Sequence, residues 1–160
     1  MIKMNWIVAL ILIPLCTLAQ SETLKGEKYK YCTSRNQTGL GGYDPVTYFS
    51  ESRPVKGKKE IFAEYDGVKY LFVSEKNKTN FIQSPDKYLP EYGGWCSLAL
   101  AMGRATQPDY QNFAVIDNKL YLFERTLSVN GKELWMRNPE NNKAQATAKY
   151  KKLVESGKIE

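Results

Sequence analysis

The dipeptide Asp66-Gly67 constrains this chain more than any other feature. It sits between two β-rich runs, Ile61-Phe62-Ala63-Glu64-Tyr65 and Val68-Lys69-Tyr70-Leu71-Phe72-Val73. A two-residue hairpin turn needs positive φ at both central residues, and Asp-Gly supplies it at little cost. Reflecting the strands through this turn pairs Tyr65 with Val68, Ala63 with Tyr70 and Ile61 with Phe72 on one face. The other face sets Phe62 opposite Leu71, and Glu64 opposite Lys69, two opposite charges directly across the ladder. A second hairpin follows the same logic, with Phe113 to Ile116, a turn at Asp117-Asn118, and Lys119 to Phe123.

Helical signals surround the hairpins. Ser74 can cap a helix from Glu75 to about Gln83, which would lay Phe81 and Ile82 on the first hairpin. Ser84-Pro85 ends it, because a residue before proline avoids helical angles. A short buried helix is expected to start near Trp95 and close at Gly103. The stretches Leu127 to Met136 and Pro139 to Val154 also read as helical, with Pro139 suited to a first helical position. The fold class is therefore α+β: a small single domain with two antiparallel β-hairpins and several short helices. No internal repeat is apparent. Residues 20–41 read as a polar, irregular lead-in with little core, residues 42–154 as the domain with its helical extension, and residues 155–160 as a tail.

The amino end has a short basic start, an apolar run from Trp6 to Leu15, and small residues at Thr17 and Ala19. That is the pattern of a cleavable signal peptide over residues 1–19, cut after Ala19. The apolar run falls short of the roughly 20 residues a membrane anchor needs. Lipid attachment at Cys16 ranks second, because the bulky Leu15 precedes it. The expected location is periplasmic or secreted, with no membrane span after processing. The formal net charge of +6 is spread over scattered lysines, and export argues against a nucleic-acid partner.

The chain has no histidine. That removes the commonest general base and the commonest metal ligand together. No Ser-His-Asp or Cys-His site and no imidazole-bound zinc can be built, and the expectation is a non-catalytic protein. Cys32 and Cys96 are the cysteines left after processing. Cys96 falls in the first turn of an apolar helix, where an anion is favoured. It is the candidate soft-metal ligand or redox thiol. The plainer reading is a small buried core residue, and a disulfide to Cys32 is a third. Asp44, before Pro45, reads first as a turn residue bonding nearby backbone. Gly93 and Gly94 read first as suppliers of positive φ. Tyr43, Asp44, Tyr48, Tyr92 and Trp95 are the residues that could line a polar-rimmed ligand pocket, although tyrosine in a small core explains most of them.

Four segments in order resemble the YHS domain: Gly42-Tyr43-Asp44-Pro45-Val46-Thr47-Tyr48-Phe49, the strand ending Tyr70-Leu71-Phe72, Phe81 with Pro85 and Tyr88, and Tyr92-Gly93-Gly94-Trp95-Cys96. More narrowly they resemble the exported single-domain YHS proteins of bacteria. The resemblance implies a binding module for a metal ion or small ligand. In the metal-handling members three cysteines stand where this chain has Thr47, Val73 and Asn77. Soft cations need several thiolates, imidazoles or thioethers. The expectation is therefore a degenerate site: no confident cofactor, and at most weak copper at Cys96, helped by Cys32 or Met102 if folding joins them. A structural or interaction domain without a small ligand is the alternative, and a thiol-redox protein using Cys96 a further one.

Overall fold

The structure is a computed structural model and describes residues 26–159; the signal peptide expected at residues 1–19 lies outside them. Two antiparallel hairpins form two separate sheets. One pairs β1 (Lys58–Tyr65) with β2 (Val68–Phe72), the other β3 (Asp109–Ile116) with β4 (Lys119–Phe123). The described residues also form six α-helices, α1 (Thr47–Ser50), α2 (Glu75–Gln83), α3 (Pro85–Tyr88), α4 (Ser97–Ala101), α5 (Gly131–Met136) and α6 (Pro139–Ser156), with four short 3-10 turns. This is the expected α+β architecture.

Both turns have the expected geometry. Asp66 and Gly67 have φ of 49° and 73°, and Asp117 and Asn118 have 51° and 58°, the left-handed values of a type I′ turn. The first hairpin keeps the expected pairs Tyr65–Val68, Glu64–Lys69, Ala63–Tyr70 and Phe62–Leu71, but Phe72 pairs with Lys58 instead of Ile61. The ladder shifts there because the chain ahead of β1 is pulled onto β2. Gly57 comes so close that a Cβ on it would lie 2.3 Å from the Leu71 carbonyl carbon, while its amide bonds the Gly42 carbonyl at 2.9 Å.

The inward face of β2, Val68, Tyr70 and Phe72, is buried. Phe81 of α2 stacks on Tyr70 and Phe72 with ring centres 5.1 and 5.3 Å away. Ser74 caps α2 as expected, its hydroxyl accepting from the Asn77 amide at 3.2 Å. Around the second hairpin Trp135 of α5 packs on Tyr121 and Phe123 at 5.6 and 5.7 Å. Each such aromatic pair contributes ~1 kcal/mol beyond its buried area.

Two helix starts and the packing of the lead-in differ from the sequence reading. The α4 helix begins at Ser97 and not near Trp95, because Trp95 and Cys96 are extended and Cys96 is the cap. The α5 helix begins at Gly131 and not at Leu127. Thr126 and Val129 close a tight turn first, and the Asn130 side chain then caps the helix. The lead-in is irregular but not loose. Cys32 and Leu40 are buried, the Cys32 amide bonds the Gly93 carbonyl, and the Tyr150 hydroxyl donates to the Lys30 carbonyl at 2.6 Å. Gly26 lies against the last turn of α6, where a Cβ would overlap the Leu153 carbonyl oxygen.

The two hairpins also match each other, which the sequence reading missed. Each has an eight-residue strand, a two-residue turn and a five-residue strand, and each shows the same register shift. Lys58 and Phe62 face Phe72 and Leu71; Asp109 and Phe113 face Phe123 and Leu122.

Candidate functional site

Asp44, Thr47, Val73 and Asn77 come together in the structure. Asp44 is fully buried in the loop before α1. One carboxyl oxygen, Oδ1, accepts from the Val46 amide at 2.8 Å, the local turn its Asp-Pro context anticipates. The other, Oδ2, accepts from the Val73 amide and from Asn77 Nδ2, each at 2.8 Å. The Asp44 carbonyl accepts from the Thr47 hydroxyl at 2.7 Å, and that oxygen accepts in turn from the Val55 amide at 3.0 Å. The Asp44 amide closes the ring by donating to the Val55 carbonyl. Three neutral donors thus converge on one buried carboxyl group, tying α1, the end of β2 and the first turn of α2 into one joint. The positions where the resemblance places three thiols are Thr47, Val73 and Asn77. Here they carry a bonded hydroxyl, an aliphatic chain with a bonded amide, and a bonded carboxamide.

Cys96 is also fully buried. Its Sγ caps α4 by accepting from the Ala99 amide at 3.4 Å, and it accepts from the Glu124 amide at 3.2 Å. Burial holds the thiol above its ordinary pKa, against the lowering pull of those amides. A buried thiol held protonated is a poor nucleophile and a poor ligand. Cys32 is free and buried as well, so no disulfide joins the pair. Burial pushes its thiol up to about 11, with the Tyr110 hydroxyl pulling weakly the other way. Met102 is 61% exposed at the far end of α4 from the Cys96 cap and does not join Cys96. Among the described residues no group of three or more Cys, Asp or Glu side chains could hold a metal ion. The residues present do not fit a soft-metal site.

The aromatic candidates divide into two groups. Tyr43 and Tyr48 flank Tyr110. The Tyr43 ring lies 6.3 Å from that of Tyr110 and carries Lys56 Nζ at 3.9 Å, while the buried Tyr48 hydroxyl donates to the Tyr110 carbonyl at 2.8 Å. Tyr92 and Trp95 turn the other way. The Tyr92 hydroxyl bonds Thr147 of α6 at 3.2 Å, and the Trp95 indole donates to the Tyr29 carbonyl at 2.8 Å. A polar cleft of about 370 Å³ lies elsewhere, between the lead-in and the first turn. There Asp66 holds Lys30 Nζ at 2.6 Å and the Tyr31 hydroxyl at 2.7 Å. Sequence reasoning also missed Asn112, a buried side chain that donates to the Glu124 carbonyl and accepts from Arg125. An asparagine inside a strand gives no sign of such a role.

No curated protein and no solved structure gives a significant match to the chain. Among the described residues no helix is long and apolar enough to cross a membrane. Residues 46–92, from α1 to the tyrosine just ahead of Gly93 and Gly94, match the family model of the YHS domain. The matched segment contains the first hairpin, α2 and three of the four members of the Asp44 joint, and the likeness to the YHS domain is confined to it.

Proposed function

We propose that this chain is an exported, non-catalytic YHS module in which the family's ligand position has become a structural joint. The observation that supports this most is the saturation of that position. Every polar side-chain atom of Asp44 and Thr47 has a partner, and the donors are neutral amides instead of a cation. A metal entering there would have to displace three hydrogen bonds to a buried group, each costly to leave unmade. Metal association then falls to Cys96, a single buried thiol, and amounts to weak copper at most. Export rests on the amino-terminal pattern of residues 1–19.

Elemental analysis of protein purified without chelators tests this, repeated on Cys96→Ser. The expected result is no stoichiometric zinc, with any copper lost on dialysis and absent from the variant. A full equivalent of metal that survives dialysis would overturn the reading. Intact mass of protein collected outside the cytoplasm tests export, with Gln20 as the expected first residue.

A further inference from the structure

We infer that the chain contains the YHS unit twice, over residues 38–88 and 90–140, and that Cys96 is the second unit's counterpart of Asp44. The inference extends past the family match, which ends at residue 92 and leaves the second hairpin outside it. Strand lengths and the register shift already agree. Across the hairpins, Phe62, Ala63, Asp66, Tyr70, Leu71 and Phe72 recur as Phe113, Ala114, Asp117, Tyr121, Leu122 and Phe123, all at one spacing. Ahead of each hairpin three consecutive residues take left-handed φ with closely matching values. Leu40, Gly41 and Gly42 have 52°, 56° and 83°; Tyr92, Gly93 and Gly94 have 56°, 62° and 88°. Two residues after the second glycine comes Asp44 in one unit and Cys96 in the other. Each is buried, each precedes a short helix, and each accepts from the amide just past its hairpin, Val73 or Glu124. Isolated parallel bridges, Thr38 with Lys69 and Pro90 with Leu120, occupy matching places. Behind each hairpin an aromatic residue, Phe81 or Trp135, covers the matched pair of strand aromatics. Ser84 and Asn138 then take identical angles, φ −152° and ψ 68°, before a proline that starts the next helix.

The two copies are each other's partner. The outward face of the second hairpin carries Phe113, Leu120 and Leu122. Leu120 and Leu122 are buried in one cluster with Val46, Tyr48 and Tyr88 of the first unit, and Phe113 meets Tyr48 edge-on at 5.0 Å. The same face of the first hairpin has Lys69 in place of Leu120 and Glu64 in place of Val115. It faces solvent, with Phe62 39% exposed beneath the Lys69 ammonium. On the second unit, the space beside α4 that would receive a third hairpin is filled by α6, whose Ala146 and Leu153 pack with Leu98, Leu100 and Ala101. The array is therefore closed at both ends, by charge at one and by a helix at the other, as terminal repeats require.

Amide hydrogen exchange on the full chain tests the equivalence of the two joints. Asp44→Ala should speed exchange of the Val73 amide by about tenfold or more and leave the Glu124 amide protected. Cys96→Ala should do the reverse. The deciding variant is Asp44→Cys, which places the second unit's residue in the first; it should restore most of the Val73 protection that alanine loses. Should Asp44→Ala fail to fold, Asp44→Ser serves as the truncated reference. Exchange at Val73 as fast in Asp44→Cys as in the truncated variant, or an unchanged Glu124 amide in Cys96→Ala, would overturn the inference. Metal content plays no part in this readout, so its outcome stands apart from that of the proposed function.

Discussion

Gly93→Ala should be far more damaging than Gly67→Ala, although both glycines have positive φ, 62° and 73°. The left-handed conformation alone costs a non-glycine residue ~1–2 kcal/mol. At Gly67 that is the whole cost, since an added Cβ would meet nothing within 4 Å. At Gly93 the Cβ would lie 1.8 Å from the Lys30 carbonyl oxygen and 2.9 Å from the Tyr150 hydroxyl. Neither neighbour can yield alone, because the Tyr150 hydroxyl donates to that carbonyl at 2.6 Å and the Cys32 amide, two residues on, is bonded to Gly93 itself at 2.9 Å. The lead-in must move off, and two hydrogen bonds worth ~1 kcal/mol each go with it. The expected loss is ~3–4 kcal/mol for Gly93→Ala against ~1 kcal/mol for Gly67→Ala. Urea titration of both variants reads the gap from their midpoints at a shared slope. Equal midpoints would refute the docking of residues 26–34 as described.

Phe81→Ala and Trp135→Ala should each cost ~3–5 kcal/mol, because each side chain is the buried cover of one hairpin; thermal melts of the two variants check this. A thiol reagent added to native protein at mildly alkaline pH should find Cys32 and Cys96 unreactive and label both after denaturation. Asp66→Asn should lower stability at neutral pH by less than ~1 kcal/mol, since the pair is half exposed, and asparagine tolerates the same positive φ. The Lys30 contact holds the Asp66 carboxyl below its ordinary range. The contribution is therefore present above the unfolded carboxyl pKa and lost as pH falls through the depressed one. Stability curves of wild type and variant should converge in acid, and a constant offset at all pH values would rule out the ion pair as the cause.

The first hairpin was legible because several local signals agreed: the Asp-Gly turn, the Glu64–Lys69 pair and the Ser74 cap all point one way. The Lys58–Phe72 pairing was not, because reflecting strands through a turn assumes an unbroken ladder, and the shift depends on a glycine drawn in from outside the hairpin. Leu40 and Cys32 looked like stray apolar residues in a polar segment, and only the tertiary fold shows what they bury against. Of the candidate site residues, Asp44 was placed in its turn correctly, but its longer bonds to Val73 and Asn77 span the hairpin and leave no trace in local sequence. The repeat hid for a related reason. Its fixed points are backbone angles and one buried acceptor, and that acceptor is a carboxylate in one copy and a thiol in the other.

The contact of Gly26 with the last turn of α6 brings the two ends of the described chain side by side. Tension applied across those ends would load one small seam and pass none of it through either hairpin, so the seam should part first. A peptide linker of a few residues could also join them, with new ends opened at the exposed Asp117-Asn118 turn, where insertions are best tolerated. Such a rewired chain would keep every contact between its halves while cutting the second hairpin, so that β4 and the helices after it would be synthesised before the first unit and β3 last.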